Sequence, residues 1–317
     1  MNLRSWKNGL LAVGAVLSLL ASAALPQVAT AAEEQPIRAV RHRIMNGSID
    51  NAPAHPQTPN GATTMGANGI DYHGGPLILG TTNIYVIWYG NWTFPGTTSA
   101  TTTIIPDFLS HLGGSSYYNI NTTYTNGAGT KVSNSVAYKG YTTDNYSQGS
   151  QFGDTGVKNI VSSAITSGRL PSDTNAVYLV LTSSDVKETS GFLTRYCGWH
   201  TNGSIGGKDI KYSFVGDPAR NYSACSGQTA SSPNSNISAD AMISVIAHEI
   251  EEAVTDPDLN AWYDAQGAEN ADKCAWTWGT TSTASNGSKY NMTLGSRNYL
   301  IQQNWVNAGG GYCSKSY

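Results

Sequence analysis

Residues 240–255 read DAMISVIAHEIEEAVT, and the fold turns on that run. Met242, Ile243, Val245, Ile246, Ile250, Ala253 and Val254 give it broad apolar faces at helical spacing. Ser238 and Asp240 are candidate N-caps, and Pro257 ends the helix. A mostly buried helix is expected. The same run carries His248, Glu249, Glu251 and Glu252. Ionisable side chains this dense on a buried helix are costly unless something compensates them. A bound cation does so most directly.

Helical geometry sharpens that expectation. His248 and Glu252 lie one turn apart on one face, where a metal can bridge them. Glu249 sits beside them, rotated by roughly a quarter turn, where it can poise a water. The run resembles the HExxH helix of metalloproteases, in which the glutamate is the general base. Here Glu252 stands where the second histidine would be, and a carboxylate is an accepted zinc ligand. A third ligand is sought in GAENADKC at 267–274, where Asp272 and Glu269 are the candidates. The resemblance to the thermolysin type favours Asp272 by spacing and leaves Glu269 as the alternative. The competing reading is a solvated helix face whose glutamates pair with lysines. The apolar density upstream argues against it.

The first 31 residues read as a secretory signal: Arg4 and Lys7, an apolar run to Leu20, and an Ala-Thr-Ala cleavage site. The apolar run is short for a bilayer, so the mature protein is expected to be secreted, with no membrane association after cleavage. Loss of Arg4 and Lys7 takes the formal charge from −3 to −5. That balance, with no basic patch, excludes nucleic acid as the natural partner. Cys197, Cys225, Cys274 and Cys313 are an even set, which in an exported chain suggests two disulfides. Of three pairings, proximity favours Cys197–Cys225 and Cys274–Cys313. A cysteine metal site is disfavoured because no C-x-x-C occurs.

Residues 32–68 show little apolar periodicity and read as a flexible arm or pro-segment, with His42 and His55 solvated. Residues 69–317 are read as a single domain. Residues 83–90 and 176–182 are expected as buried strands, 211–216 as a further strand, and 135–138 as a short one. Residues 105–112 are a short helix candidate, with Pro106 in the first turn and His111 on its surface. Val157, Ile160, Val161, Ala164 and Ile165 mark an amphipathic helix over 154–167. Strands and helices before the 240–255 helix and a mixed tail after it suit an α/β or α+β domain. The expected architecture is a zincin-like mixed sheet packed on an HExxE helix, with 211–216 as a substrate-binding edge strand.

The motifs YHGGP (72–76), IWYG (87–90), LTSSDV (181–186), CGWH (197–200), SVIAHE (244–249) and NAWY (260–263) occur in order. With YNM (290–292) and YLIQ (299–302), they resemble the EXORDIUM or phosphate-induced protein family over roughly residues 70–313. That resemblance implies secretion and an extracellular, cell-wall role linked in plants to growth and brassinosteroid response. It does not imply a reaction.

Two functions are therefore expected. One is a secreted zinc-dependent metallopeptidase acting on a peptide or protein. Its ligands would be His248, Glu252 and Asp272, its base Glu249, and its oxyanion donor Tyr263, His200 or Tyr290. Two anionic ligands weaken the Lewis acid and leave room for another metal. DPDLN at 256–260 with Asp264 would suit a second, calcium site. The other is a non-catalytic extracellular signalling or wall-associated protein on the same scaffold. Carbohydrate binding through surface Trp and Tyr is a third reading. His73 and His200 are otherwise read as hydrogen-bonded turn residues.

Overall fold

The apolar runs assemble into a six-stranded mixed sheet. The computed structural model describes residues 40–45, 69–93 and 100–317. The strands are β1 (Val40–Arg43), β2 (Thr82–Tyr89), β3 (Val136–Asp144), β4 (Ala176–Thr182), β5 (Tyr196–Ile205) and β6 (Lys208–Gly216). Their spatial order is β1-β5-β6-β4-β2-β3. β3, β2, β4 and β6 run parallel. β5 returns antiparallel beside β6, and β1 lies antiparallel along β5, pairing Val40 with His200.

β4 reads AVYLVLT and is buried along its length, as expected of a strand covered on both faces. Helix α1 (Thr101–Leu112) buries Ile104, Ile105, Phe108, Leu109 and Leu112, and α2 (Asp154–Thr166) buries Val157, Ile160, Val161 and Ala164. Helix α3 (Ile237–Thr255) carries the opening run and is buried from Ser238 to Thr255. It packs on β5, β6 and α1.

Several expectations need correcting. The N-cap of α3 is Asn236, whose side chain accepts the Ala239 N–H at 3.0 Å. Asp240 instead holds the Asn234 backbone and amide groups at 2.9 and 2.6 Å, and Ser238 donates to Asp217. The strand at 135–138 is longer than expected, and α1 begins four residues earlier. Residues 208–216 lie between β5 and β4, so they offer no free edge to a substrate. The edge on that side of the sheet is β1, drawn from the expected flexible arm. His42 on that strand is buried, not solvated. The signal at 1–31, the rest of the arm and His55 lie outside the described residues.

Both favoured disulfides are present, Cys197–Cys225 and Cys274–Cys313. They accord with an exported protein. Among the described residues no helix is long and apolar enough to cross a membrane.

Candidate metal centre

The site forms where α3 is clamped between β5 and a turn near the C-terminus. Close approach to β5 depends on Gly198. A Cβ there would sit 2.6 Å from Val245 Cγ1 and 2.8 Å from Glu249 Oε1, so only glycine lets strand and helix meet at this depth. That contact brings His200, two residues along β5, over Glu249 and Glu252. From the other side, the 3-10 turn Asp272–Cys274 is tied down by the Cys274–Cys313 disulfide. Its Asp272 N–H donates to Glu252 Oε1 at 3.0 Å.

The spacing expected for His248 and Glu252 is realised: His248 Nε2 lies 3.0 Å from Glu252 Oε1. Asp272 Oδ1 lies 3.5 Å from the same nitrogen. The three residues chosen as ligands therefore converge. The alternative, Glu269, also reaches the cluster, 3.5 Å from His200 Nε2. His200 is buried on a strand rather than set in a turn. Its Nδ1 faces Glu249 Oε2 at 3.4 Å and Glu252 Oε2 at 3.5 Å. The two oxygens of Glu252 thus face different imidazoles.

Few of these atoms are satisfied. Both nitrogens of His200 and His248, both oxygens of Glu249 and Glu269, and Oε2 of Glu252 are buried without a hydrogen-bond partner. Buried polar groups are normally paired, and these nitrogens and oxygens face one another at 3.0–3.5 Å without a hydrogen bond, an arrangement able to hold a cation. Imidazole and carboxylate together suit zinc or another borderline divalent ion. His42, His248 and Asp272 form one group with ligand atoms within 4.8 Å of one another, and His200, Glu249 and Glu252 form a second.

The electrostatics tell the same story. Burial pushes Glu249 up to about 7. Glu269 and Asp272 are also raised, by burial first and then by the neighbouring Glu252. Burial opposes protonation of His200, yet Glu249 and Glu252 carry it up to about 10. His248 is held well above its ordinary value against burial, chiefly by Glu252. Burial would raise Glu252, but the two imidazoles hold it well below the carboxylate range. Without a cation, protons on imidazoles must carry the compensating charge.

His42 reaches the cluster from β1. Its ring lies 3.7 Å from the His248 ring, and its Nε2 lies 3.1 Å from the Gln302 amide nitrogen. The alternation Arg41-His42-Arg43 in the arm was the only sequence signal of this inward face. A cavity of about 360 Å³ opens beside Asp272, lined also by Arg41, Arg43, Arg195, Tyr196 and Gly267. The Asp272 side chain is 21% exposed, whereas His200, His248, Glu249 and Glu252 are at 0%.

The remaining candidates lie elsewhere. Tyr263 stacks on His73 with ring centroids 3.7 Å apart, and His73 Nε2 lies 3.1 Å from the Tyr263 carbonyl. Tyr290 pairs with Ser282 in a two-stranded ladder. His111 is exposed on α1. The carboxylates suggested for calcium each have a protein partner. Asp256 Oδ1 accepts two backbone N–H groups at 2.6 Å. Asp258 pairs with Lys211 at 3.4 Å, and Asp264 with Lys273 at 3.0 Å.

Residues 70–314 match the family model described as the phosphate-induced protein 1 conserved region. The chain belongs to this family. Protein EXORDIUM-like 3 of Arabidopsis thaliana is 31% identical over 278 residues, covering 74% of this chain and 80% of the relative. Protein EXORDIUM-like 5 of the same plant is 31% identical over 277 residues, covering 74% and 75%. Protein PHOSPHATE-INDUCED 1 of Nicotiana tabacum is 24% identical over 226 residues, covering 62% and 68%. No solved structure matches. The phosphate-induced protein 1 region takes in His200, His248, Glu249, Glu252, Glu269 and Asp272, while His42 precedes it.

Proposed function

We propose that this chain is an exported, non-catalytic member of its family whose interior is held together by a divalent cation, with zinc as the first choice. His248, Glu252 and Asp272 would hold it. The observation that carries this reading is their convergence on one buried point with unsatisfied donor atoms. A cation so placed supplies charge compensation, and through it stability to the contact between α3 and the Asp272 turn. The non-catalytic reading rests on access. Glu249 has no exposed surface and packs against Gly198. The cavity opens at Asp272 instead. The family resemblance, which implies an extracellular, cell-wall role and no reaction, suits this reading.

A second reading keeps the zincin resemblance: zinc-dependent hydrolysis of a peptide bond, with Glu249 taking the proton of the attacking water. The retention of a glutamate directly after His248 favours it. One experiment separates the two. The mature protein is purified, its metal content is measured, and a protein substrate is offered with and without a chelator, alongside Glu249→Gln. Bound metal, thermal stability that falls on chelation and no cleavage are the expected results. Cleavage lost both on chelation and in Glu249→Gln would establish the peptidase instead. A protein that binds no divalent metal would end both readings.

A further inference from the structure

We infer that the cluster is a two-cation centre, in which His200, Glu249 and Glu252 hold a second divalent ion beside the one at His248, Glu252 and Asp272. The inference rests on the cation reading above and assigns Glu249 as a ligand rather than a base.

The first observation is a shared carboxylate. Glu252 Oε1 faces His248 and its Oε2 faces His200, at 3.0 and 3.5 Å. A carboxylate presenting one oxygen to each of two imidazoles is placed to bridge two ions, as in paired metal sites. The second is the donor inventory. His200 Nδ1, both Glu249 oxygens and Glu252 Oε2 are fully buried and unpartnered. A single ion at His248, Glu252 and Asp272 leaves His200 and Glu249 facing each other at 3.4 Å, buried and without a hydrogen bond, at a desolvation cost that a second ion would offset. The third is charge. Glu249, Glu252, Glu269 and Asp272 share this one region, each with an oxygen 3.0–3.5 Å from a nitrogen of His200 or His248. One divalent ion leaves the region anionic when the imidazoles are neutral, and two balance it.

Glu269 has a distinct task. It lies 3.5 Å from His200 Nε2, the nitrogen turned away from Glu249. A carboxylate on the far nitrogen of a ligating histidine fixes its tautomer and aims the near one at the metal. Glu269 is a positioning residue here. Gly198 completes the site, since a side chain there would push Glu249 off His200.

The test is a titration of the metal-stripped full mature protein with cobalt(II), and separately with zinc, followed by mass-spectrometric metal counting. Wild type should take up about two equivalents, and the cobalt pair should show magnetic coupling in its EPR spectrum. His200→Ala and Glu249→Gln should each retain about one equivalent and lose the coupling. Glu269→Gln should keep both ions and weaken the second by roughly 10–100-fold. If wild type binds about one equivalent, with an uncoupled cobalt spectrum at saturation, the two-cation centre is wrong while the single-cation reading stands. No uptake at all sinks both. Should a variant fail to fold, the wild-type count and spectrum decide alone.

Discussion

Glu251 shares α3 with the cluster around His248 but belongs to a different arrangement. Its Oε2 accepts the Asn304 amide at 2.6 Å inside the core, and burial raises its carboxyl well above the ordinary range. Asn304→Ala would strand that oxygen and should cost about 1–3 kcal/mol in denaturant unfolding. Glu251→Gln keeps an acceptor for Asn304 and should cost less. Equal losses in the two variants would show that the bond contributes little. Glu249 differs from Glu251 in what covers it. Helical geometry alone set it beside His248 and Glu252, rotated by roughly a quarter turn, and that much was readable from the chain. Its neighbour His200 was not, because only the β5–α3 contact through Gly198 brings the two together.

At the level of elements, β1 is the edge piece whose removal tests the site from outside the core. It covers the edge of β5, seats His42 on the His248 ring, and accepts the Trp276 indole N–H at the Arg43 carbonyl, 2.9 Å away. A chain starting at residue 69 exposes a strand edge of the kind that invites association. Its Tm should fall by roughly 4–8 °C, equivalent to about 2 kcal/mol for a domain of this size. Light scattering should report concentration-dependent aggregation. An unchanged Tm would mean that β1 is dispensable. The central strands and α2 were legible because long apolar runs and a clean helical stripe dictate them locally. β1 was not, since an alternation of only four residues is too short to specify a strand, and only pairing with a distant strand makes them extended. The place of 208–216 inside the sheet escaped for the same reason: strand order depends on long-range pairing.

Over the whole molecule, the disulfides and the cluster act as one support. Cys274–Cys313 joins the turn carrying Asp272 to the terminal strand Tyr312–Ser314, which pairs with Asn304–Val306 beside Glu251. Replacing both cysteines by serine should cost about 2–4 kcal/mol. It should also weaken divalent metal binding, because Asp272 would no longer be held against Glu252. Paired calorimetric titrations of wild type and variant measure this. Identical affinities would separate the cystine from the cation. The even cysteine count and the short spacings made this pairing readable in advance, whereas its link to Asp272 and Glu252 needed the three-dimensional turn.

The pairing of Val40 with His200 also bears on how the protein matures. Contacts between residues so far apart in the chain form late, after the loop entropy between them has been overcome. The hairpin of β5 and β6 and the long helix can dock first, leaving the imidazole of His248 open to solvent. An ion bound by this cluster would have its easiest entry during that interval. Were an ion bound there, closure of the edge strand would leave it behind β1, with Arg41, Arg43 and Arg195 lining the cavity at Asp272, and its release should be slow.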